Sequence, residues 1–254
     1  MKVYLVWCSK VIGLAFLAGL PMCLFIERAH GQSFNEREVK SQASALDKSD
    51  VWAFDFRFKD PRLIKVNVPG RGTRIFWYMW YQVINRTGEP HRFVPNFELV
   101  THDHPGVYAD EVLPTVEEAI KKVEDPTGYQ EIKNSVSIGK NPIPASKPDD
   151  QAFPQKITGV AIWDASAADP KQRNADDKDL MDATRFSIFV RGLSNGFVLV
   201  DPLTPGGQPI TRYKTLQLNF KRQADRFSVD SRDISFAPPA EWIYRAAGRK
   251  KDEK

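Results

Sequence analysis

Residues 75–84 constrain this chain more than any other stretch. Ile75, Trp77, Met79, Tyr81 and Val83 share one parity, and Phe76, Tyr78, Trp80, Gln82 and Ile84 share the other. Alternate side chains of an extended strand point to opposite faces, so a strand apolar on both parities must be covered on both sides. The spacing predicts a strand at the centre of the fold. Elsewhere the same period recurs with one wet face: Trp52, Phe54, Phe56 and Phe58 alternate with Asp55, Arg57 and Lys59, and Leu216, Leu218 and Phe220 with Gln217, Asn219 and Lys221. Further strands are expected at 63–68, 92–100, 157–163, 186–191, 197–200 and 227–236. The turn cluster Asn85-Arg86-Thr87-Gly88 predicts that 75–84 and 92–100 form a central hairpin.

Helical patterning is sparse: a single turn around Leu180 in the acidic loop and one short segment before the Pro-rich connector. Thr115-Val116-Glu117-Glu118 reads as a capping box, with Thr115 accepting from the Glu118 amide, and predicts one short helix over about 115–124. Strands recurring without helices between them favour a mainly β fold, an immunoglobulin-like antiparallel β-sandwich with one short helix and long loops, over an α/β fold. With 254 residues, 42% hydrophobic and 27% charged, the chain is long and apolar enough for a packed core. Its formal charge of +4 is too slight for a dedicated nucleic-acid binder.

The amino end reads as an export signal. Lys2 and Lys10 supply positive charge, 11–26 is an apolar run without charge, and Ala29-His30-Gly31 offers small residues for cleavage before Gln32. Residues 11–26 are short of the roughly 20 that a membrane-spanning helix needs, so membrane attachment is expected only if this segment stays uncleaved. Both cysteines, Cys8 and Cys23, lie within residues 1–31, which leaves a cysteine-free mature chain without disulfides or thiolate sites. The organisation expected is a signal peptide at 1–31, a flexible polar leader at 32–50, a sandwich domain at 51–245 and a charged tail at 246–254. The Pro-rich connector 141–155 is where that domain would divide into two.

Four features suggest chemistry. Gly192-Leu193-Ser194-Asn195-Gly196 matches a nucleophile-elbow string, but that motif needs a strand before it and a helix after it. Strand patterns flank it on both sides, and Asn195-Gly196 favours a hairpin turn. His91, His102 and His104, with Asp103, form a candidate zinc or copper set, against which Pro105-Gly106 argues for an exposed turn. The acidic loop 164–182 lacks the ligand spacing of a calcium loop. Trp242 and Tyr244, beside Pro238-Pro239, are the aromatic pair placed to stack on a sugar. No cofactor is called for by any of these.

The segments Trp77 through Val100, Thr158-Gly-Val-Ala-Ile-Trp163, Arg185-Phe-Ser-Ile-Phe-Val-Arg-Gly-Leu-Ser194 and Pro239-Ala-Glu-Trp-Ile-Tyr-Arg245 resemble uncharacterised secreted proteins of planctomycete-type bacteria. That resemblance covers most of the mature chain and implies export, and it brings no activity, ligand or catalytic residue. The expectation is an exported, periplasmic or extracellular, non-enzymatic structural or interaction module of a bacterial envelope, whose partner is an envelope protein or a polysaccharide. Two alternatives stand beside it: a carbohydrate-binding sandwich using exposed aromatics, and a metal-dependent hydrolase centred on His102 and His104.

Overall fold

Strand β4 (Gly72–Ile84) is covered on both faces, each by a different layer. The computed structural model describes residues 35–104, 106–147, 153–165, 180–202, 207–223 and 233–246. The signal segment with Cys8 and Cys23, most of the acidic loop, residues 148–152 of the connector and the charged tail beyond Ala246 lie outside the described residues.

With strands numbered along the chain, β4 is the spine of the first sheet. One of its edges pairs with β2 (Asp55–Lys59) and β3 (Arg62–Val68), and the other with β7 (Lys156–Asp164). The outer edge of β2 takes β1 (Glu36–Val39). In the second sheet β8 (Arg185–Arg191) lies between β5 (Asn96–Thr101) and β10 (Ile210–Arg222), and β6 (Gly106–Ala109) flanks β5. On β10, β9 (Phe197–Val200) follows β8 along one edge, while β11 (Ile234–Phe236) and β12 (Glu241–Arg245) share the opposite one. Every pairing between these strands is antiparallel, and the protein is mainly β. Both sheets draw strands from either side of the Pro-rich connector, which crosses within the unit formed by residues 33–254.

The inner faces of the two sheets meet in one core. Trp77, Met79, Tyr81 and Val83 of β4, with Phe56, Phe58 and Trp163, pack against Phe97, Leu99, Phe186, Ile188, Leu216, Leu218 and Phe220. Ring pairs cross the gap, Tyr81 to Phe97 at 4.8 Å and Trp77 to Phe186 at 5.0 Å between centroids. Burying each such side chain stabilises the fold by about 1.5–3 kcal/mol. The even-numbered face of β4 is covered separately. Phe76, Tyr78 and Trp80 join Val66, Val160 and Ile162 beneath Val116 and Ile120 of α1 (Pro114–Glu124), so the chain builds a sandwich with a helix on its outer side.

The helix ends in a buried ionic cluster. Glu124 is the last residue of α1, where the negative end of the helix dipole disfavours a carboxylate. Three donors hold it there: Lys59 Nζ at 3.0 Å, Arg62 Nη1 at 2.8 Å and the Tyr78 hydroxyl at 2.9 Å. Burial, with the Glu124 charge beside it, pushes the Tyr78 phenol well above its ordinary range.

Four sequence expectations need correction. The expected hairpin between β4 and β5 is not formed: both edges of β4 are already occupied, and β5 crosses into the second sheet. The polar leader is not free, because 36–39 is an edge strand of the first sheet. The Thr115 capping box is not made. Pro114, whose fixed φ suits a first helical position, starts the helix one residue earlier behind Leu113, with no side-chain cap. The segment 192–196 is not a hairpin either. Strands β8 and β9 pair with the same edge of β10, as Val190↔Leu216 and Phe197↔Tyr213 show, so 192–196 is a kink between two collinear strands.

Candidate functional site

All but one of the histidines singled out in the sequence make a specific side-chain contact. The His91 ring stacks on Trp52 at 4.1 Å and 7°. His102 Nε2 lies 2.9 Å from Ser187 Oγ. The single hydroxyl proton of Ser187 goes to Asn219 Oδ1, 2.6 Å away, so His102 is the donor in that contact. The buried His104 ring has no hydrogen-bond partner on either nitrogen. Among the described residues no group of three or more His, Cys, Asp or Glu is placed to hold a metal ion.

Asp103 closes the loop between β5 and β6 onto the start of β8. Its Oδ2 accepts from the amides of Thr184 and Arg185 at 2.6 and 2.9 Å and from the Thr184 hydroxyl at 2.9 Å. Burial pushes its carboxyl up, but these bonds and the Arg185 side chain outweigh it and hold it down at about 2. A carboxyl lowered in the folded state stabilises the fold above its unfolded value and loses that contribution as pH falls through its folded one. Stability is therefore expected to drop between about pH 4 and pH 2. Urea titrations across that window should show a shallower drop in Asp103→Asn, and an unchanged slope would refute the assignment.

Ser194 has no helix after it. Its hydroxyl donates to the Trp52 carbonyl at 2.5 Å, while Asn195 Oδ1 accepts from the Trp52 amide at 2.8 Å. The motif therefore grips residues 50–54 and is not a nucleophile elbow. Trp242 and Tyr244 do related work. Trp242 Nε1 donates to the Lys40 carbonyl at 3.1 Å, and the Tyr244 hydroxyl donates to Asp47 Oδ1 at 2.6 Å. Lys214 Nζ, on a side chain only 2% exposed, reaches the Gln42 carbonyl at 2.6 Å and Asp47 Oδ2 at 2.5 Å. Burial and the Asp47 carboxylate push Tyr244 up to about 12. The expected sugar-stacking pair thus serves as part of a clamp on the leader.

The open site lies on the outer face of the first sheet, where α1 ends. There the registers Glu38↔Arg57, Arg57↔Gln82 and Gln82↔Thr158 place four polar side chains in one row across β1, β2, β4 and β7. The row is bonded along its length: Arg57 Nη2 to Glu38 Oε2 at 2.6 Å, Arg57 Nη1 to Gln82 Oε1 at 3.5 Å and Gln82 Nε2 to Thr158 Oγ1 at 3.2 Å. Burial raises the Glu38 carboxyl, and Arg57 and Arg86 together more than reverse this, so it stays ionised as an acceptor.

A wall rises beside this floor. Asp125 accepts the amides of Tyr129 at 2.9 Å and Gln130 at 2.7 Å, and Gln130 Oε1 accepts from Trp80 Nε1 at 3.1 Å. The backbone of Tyr129 is held this way, and its side chain is 90% exposed. Glu131 follows at φ 47°, a left-handed conformation that costs a non-glycine residue about 1 kcal/mol or more. Lys133 then pairs with Gly159 along the free edge of β7. Floor and wall enclose a cleft of about 440 Å³. A second, separate depression of about 650 Å³ is bordered by Glu38, Lys40, Asp55 and Arg86.

None of these cleft residues was singled out in the sequence. Two signals for them are present: Gln82 is the polar residue in a stretch otherwise apolar on both parities, and Asp55, Arg57 and Lys59 share a parity opposite three phenylalanines. Comparison of the chain with protein-family models, with curated proteins and with solved structures finds no match.

Proposed function

We propose that this protein is an exported, non-enzymatic interaction module of immunoglobulin-like type, and that its groove on the first sheet binds an extended saccharide polymer. The observation that carries this reading is the row Glu38–Arg57–Gln82–Thr158 beneath the exposed Tyr129 ring. Polar side chains in a row on a sheet suit a chain of hydroxyls, and an exposed aromatic offers an apolar face on which a sugar ring stacks. The cleft of about 440 Å³ is in the size range of sites that hold a small ligand, and the depression of about 650 Å³ bordered by β1 and β2 offers a second place for the same polymer. The side chains that sequence offered for catalysis serve other purposes, since Ser194, His102 and Asp103 each hold neighbouring segments together. Export rests on the patterning of residues 1–31. Envelope polysaccharide is accordingly the polymer such a module would meet.

The test is binding of the purified chain to an array of envelope-type glycans, repeated with Tyr129→Ala and Gln82→Ala. Wild-type binding reduced about tenfold by Tyr129→Ala is expected, on the scale of one lost stacking contact. Tyr129 is a surface residue, so its replacement leaves the fold intact. Absence of glycan binding by the wild type, or binding indifferent to both changes, would overturn the proposal.

A further inference from the structure

The charges in the groove are paired carboxylates, unpaired lysines, and Glu131, a carboxylate of the wall with no ion pair among the described residues. Glu38 holds Arg57 at 2.6 Å and lies 3.5 Å from Arg86, Asp55 holds Arg86 at 2.9 Å, and Glu36 lies 3.9 Å from Lys59. Those carboxylates are matched within the protein. Lys133 and Lys156, in contrast, line the cleft with no ion pair or hydrogen bond from their ammonium groups among the described residues. Lys40, at the border of the second depression, is in the same condition. The ammonium groups thus flank the neutral Gln82–Thr158 pair, and the exposed Tyr129 lies at the wall.

We infer that the polymer in this groove is an anionic polysaccharide, one whose sugar rings carry carboxylates that meet Lys133 and Lys156. This rests on the saccharide reading above and adds the class of sugar. Two unpaired ammonium groups lining one concavity act on an anion there together, where a single lysine on a flat surface acts alone. Hydroxyls of the same chain fall to the exposed carboxylate of Glu131 at the wall, which accepts from a hydroxyl. That mixture favours sugar over nucleic acid, whose backbone carries a negative charge at every unit and is met by unbroken basic surface.

The probes are galacturonate oligomers, neutral galactose oligomers of the same length and a single-stranded DNA oligomer, with affinity measured by calorimetry on the full chain. The galacturonate oligomer is expected to bind, the neutral one at least about tenfold more weakly, with affinity falling as salt rises. Lys133→Gln with Lys156→Gln should reduce galacturonate affinity about tenfold and leave the thermal midpoint unchanged. Lys65→Gln with Lys122→Gln, on exposed positions outside the groove, should leave affinity as it was. Equal affinity for neutral and acidic oligomers would overturn the inference while the saccharide reading stands. An equal loss in the Lys65 and Lys122 control, or tighter binding of DNA, would also overturn it. Binding of none of the sugars would remove the saccharide reading itself.

Discussion

Gly192→Ala is expected to destabilise the fold by about 3 kcal/mol or more, among the largest single effects available in this chain. Two costs add at this residue. Its φ of 96° lies where an L side chain is strained, and a Cβ built there would stand 2.1 Å from the Val94 carbonyl oxygen and 2.9 Å from its carbon. Both are backbone atoms, and Val94 is followed by Pro95 at the entrance to β5, so neither can swing aside as a side-chain tip would. Gly70 separates the two costs. Its φ is 76° with nothing within 4 Å of the same Cβ, so Gly70→Ala should lose only the conformational part, about 1 kcal/mol. Urea midpoints of the two variants against wild type give the comparison. A Gly192→Ala loss no greater than that of Gly70→Ala would show that the kink does not depend on the close approach to Val94.

The second large effect is expected at Glu124. Glu124→Ala should cost about 3–5 kcal/mol, because it leaves Lys59 with its nearest remaining carboxylate, Glu36, at 3.9 Å and removes the acceptor of the Tyr78 hydroxyl. The loss comes from charge left behind, so removing the charge as well should restore part of it. The double variant Glu124→Leu with Lys59→Met is expected to be more stable than Glu124→Ala alone. That Lys59 also lies 4.5 Å above the Trp80 ring limits the recovery, since the cation–π contact goes with it. Chemical denaturation of the three proteins decides the matter. A double variant no better than the single one would mean that Glu124 acts through packing at the helix end and not through its partners.

What could be read from the sequence follows from what alternation encodes. The pattern at 75–84 states that both faces of β4 are covered, and it does so because burial depends on side chains, which the sequence displays. It does not state which strands occupy the edges, because edge pairing is made by backbone groups common to every residue. For that reason the neighbouring stretch, with a turn cluster between, was expected to return alongside β4 and instead entered the other sheet. Strand β1 was illegible for a related reason. Glu36-Arg37-Glu38-Val39 is an edge strand with charged residues toward solvent, and its order comes from one neighbour and from the ion pairs of Arg37 with Asp60 and Arg57 with Glu38.

The candidate site was less legible than the fold. Its row of four side chains comes from four strands spread over residues 38–158, and only the register brings them together. Trp242 and Tyr244 show the converse. Their type and their place beside a proline pair suggested exposure, whereas their polar tips turn to Lys40 and Asp47, far away in sequence. An aromatic with a polar handle fits a binding surface and a clamp equally well, and composition does not separate the two.

The clamp has a mechanical consequence. A tether drawn away from residue 35 would first peel the short ladder of β1 from β2, one pair of bonds at a time. The pull would then arrive at residues 40–47, where a sheathed ammonium and two ring-borne donors hold the chain at once and must let go together. The amino end thus begins with a zipper and stops at a bolt, so residues 40–47 resist a pull on residue 35 more than β1 does.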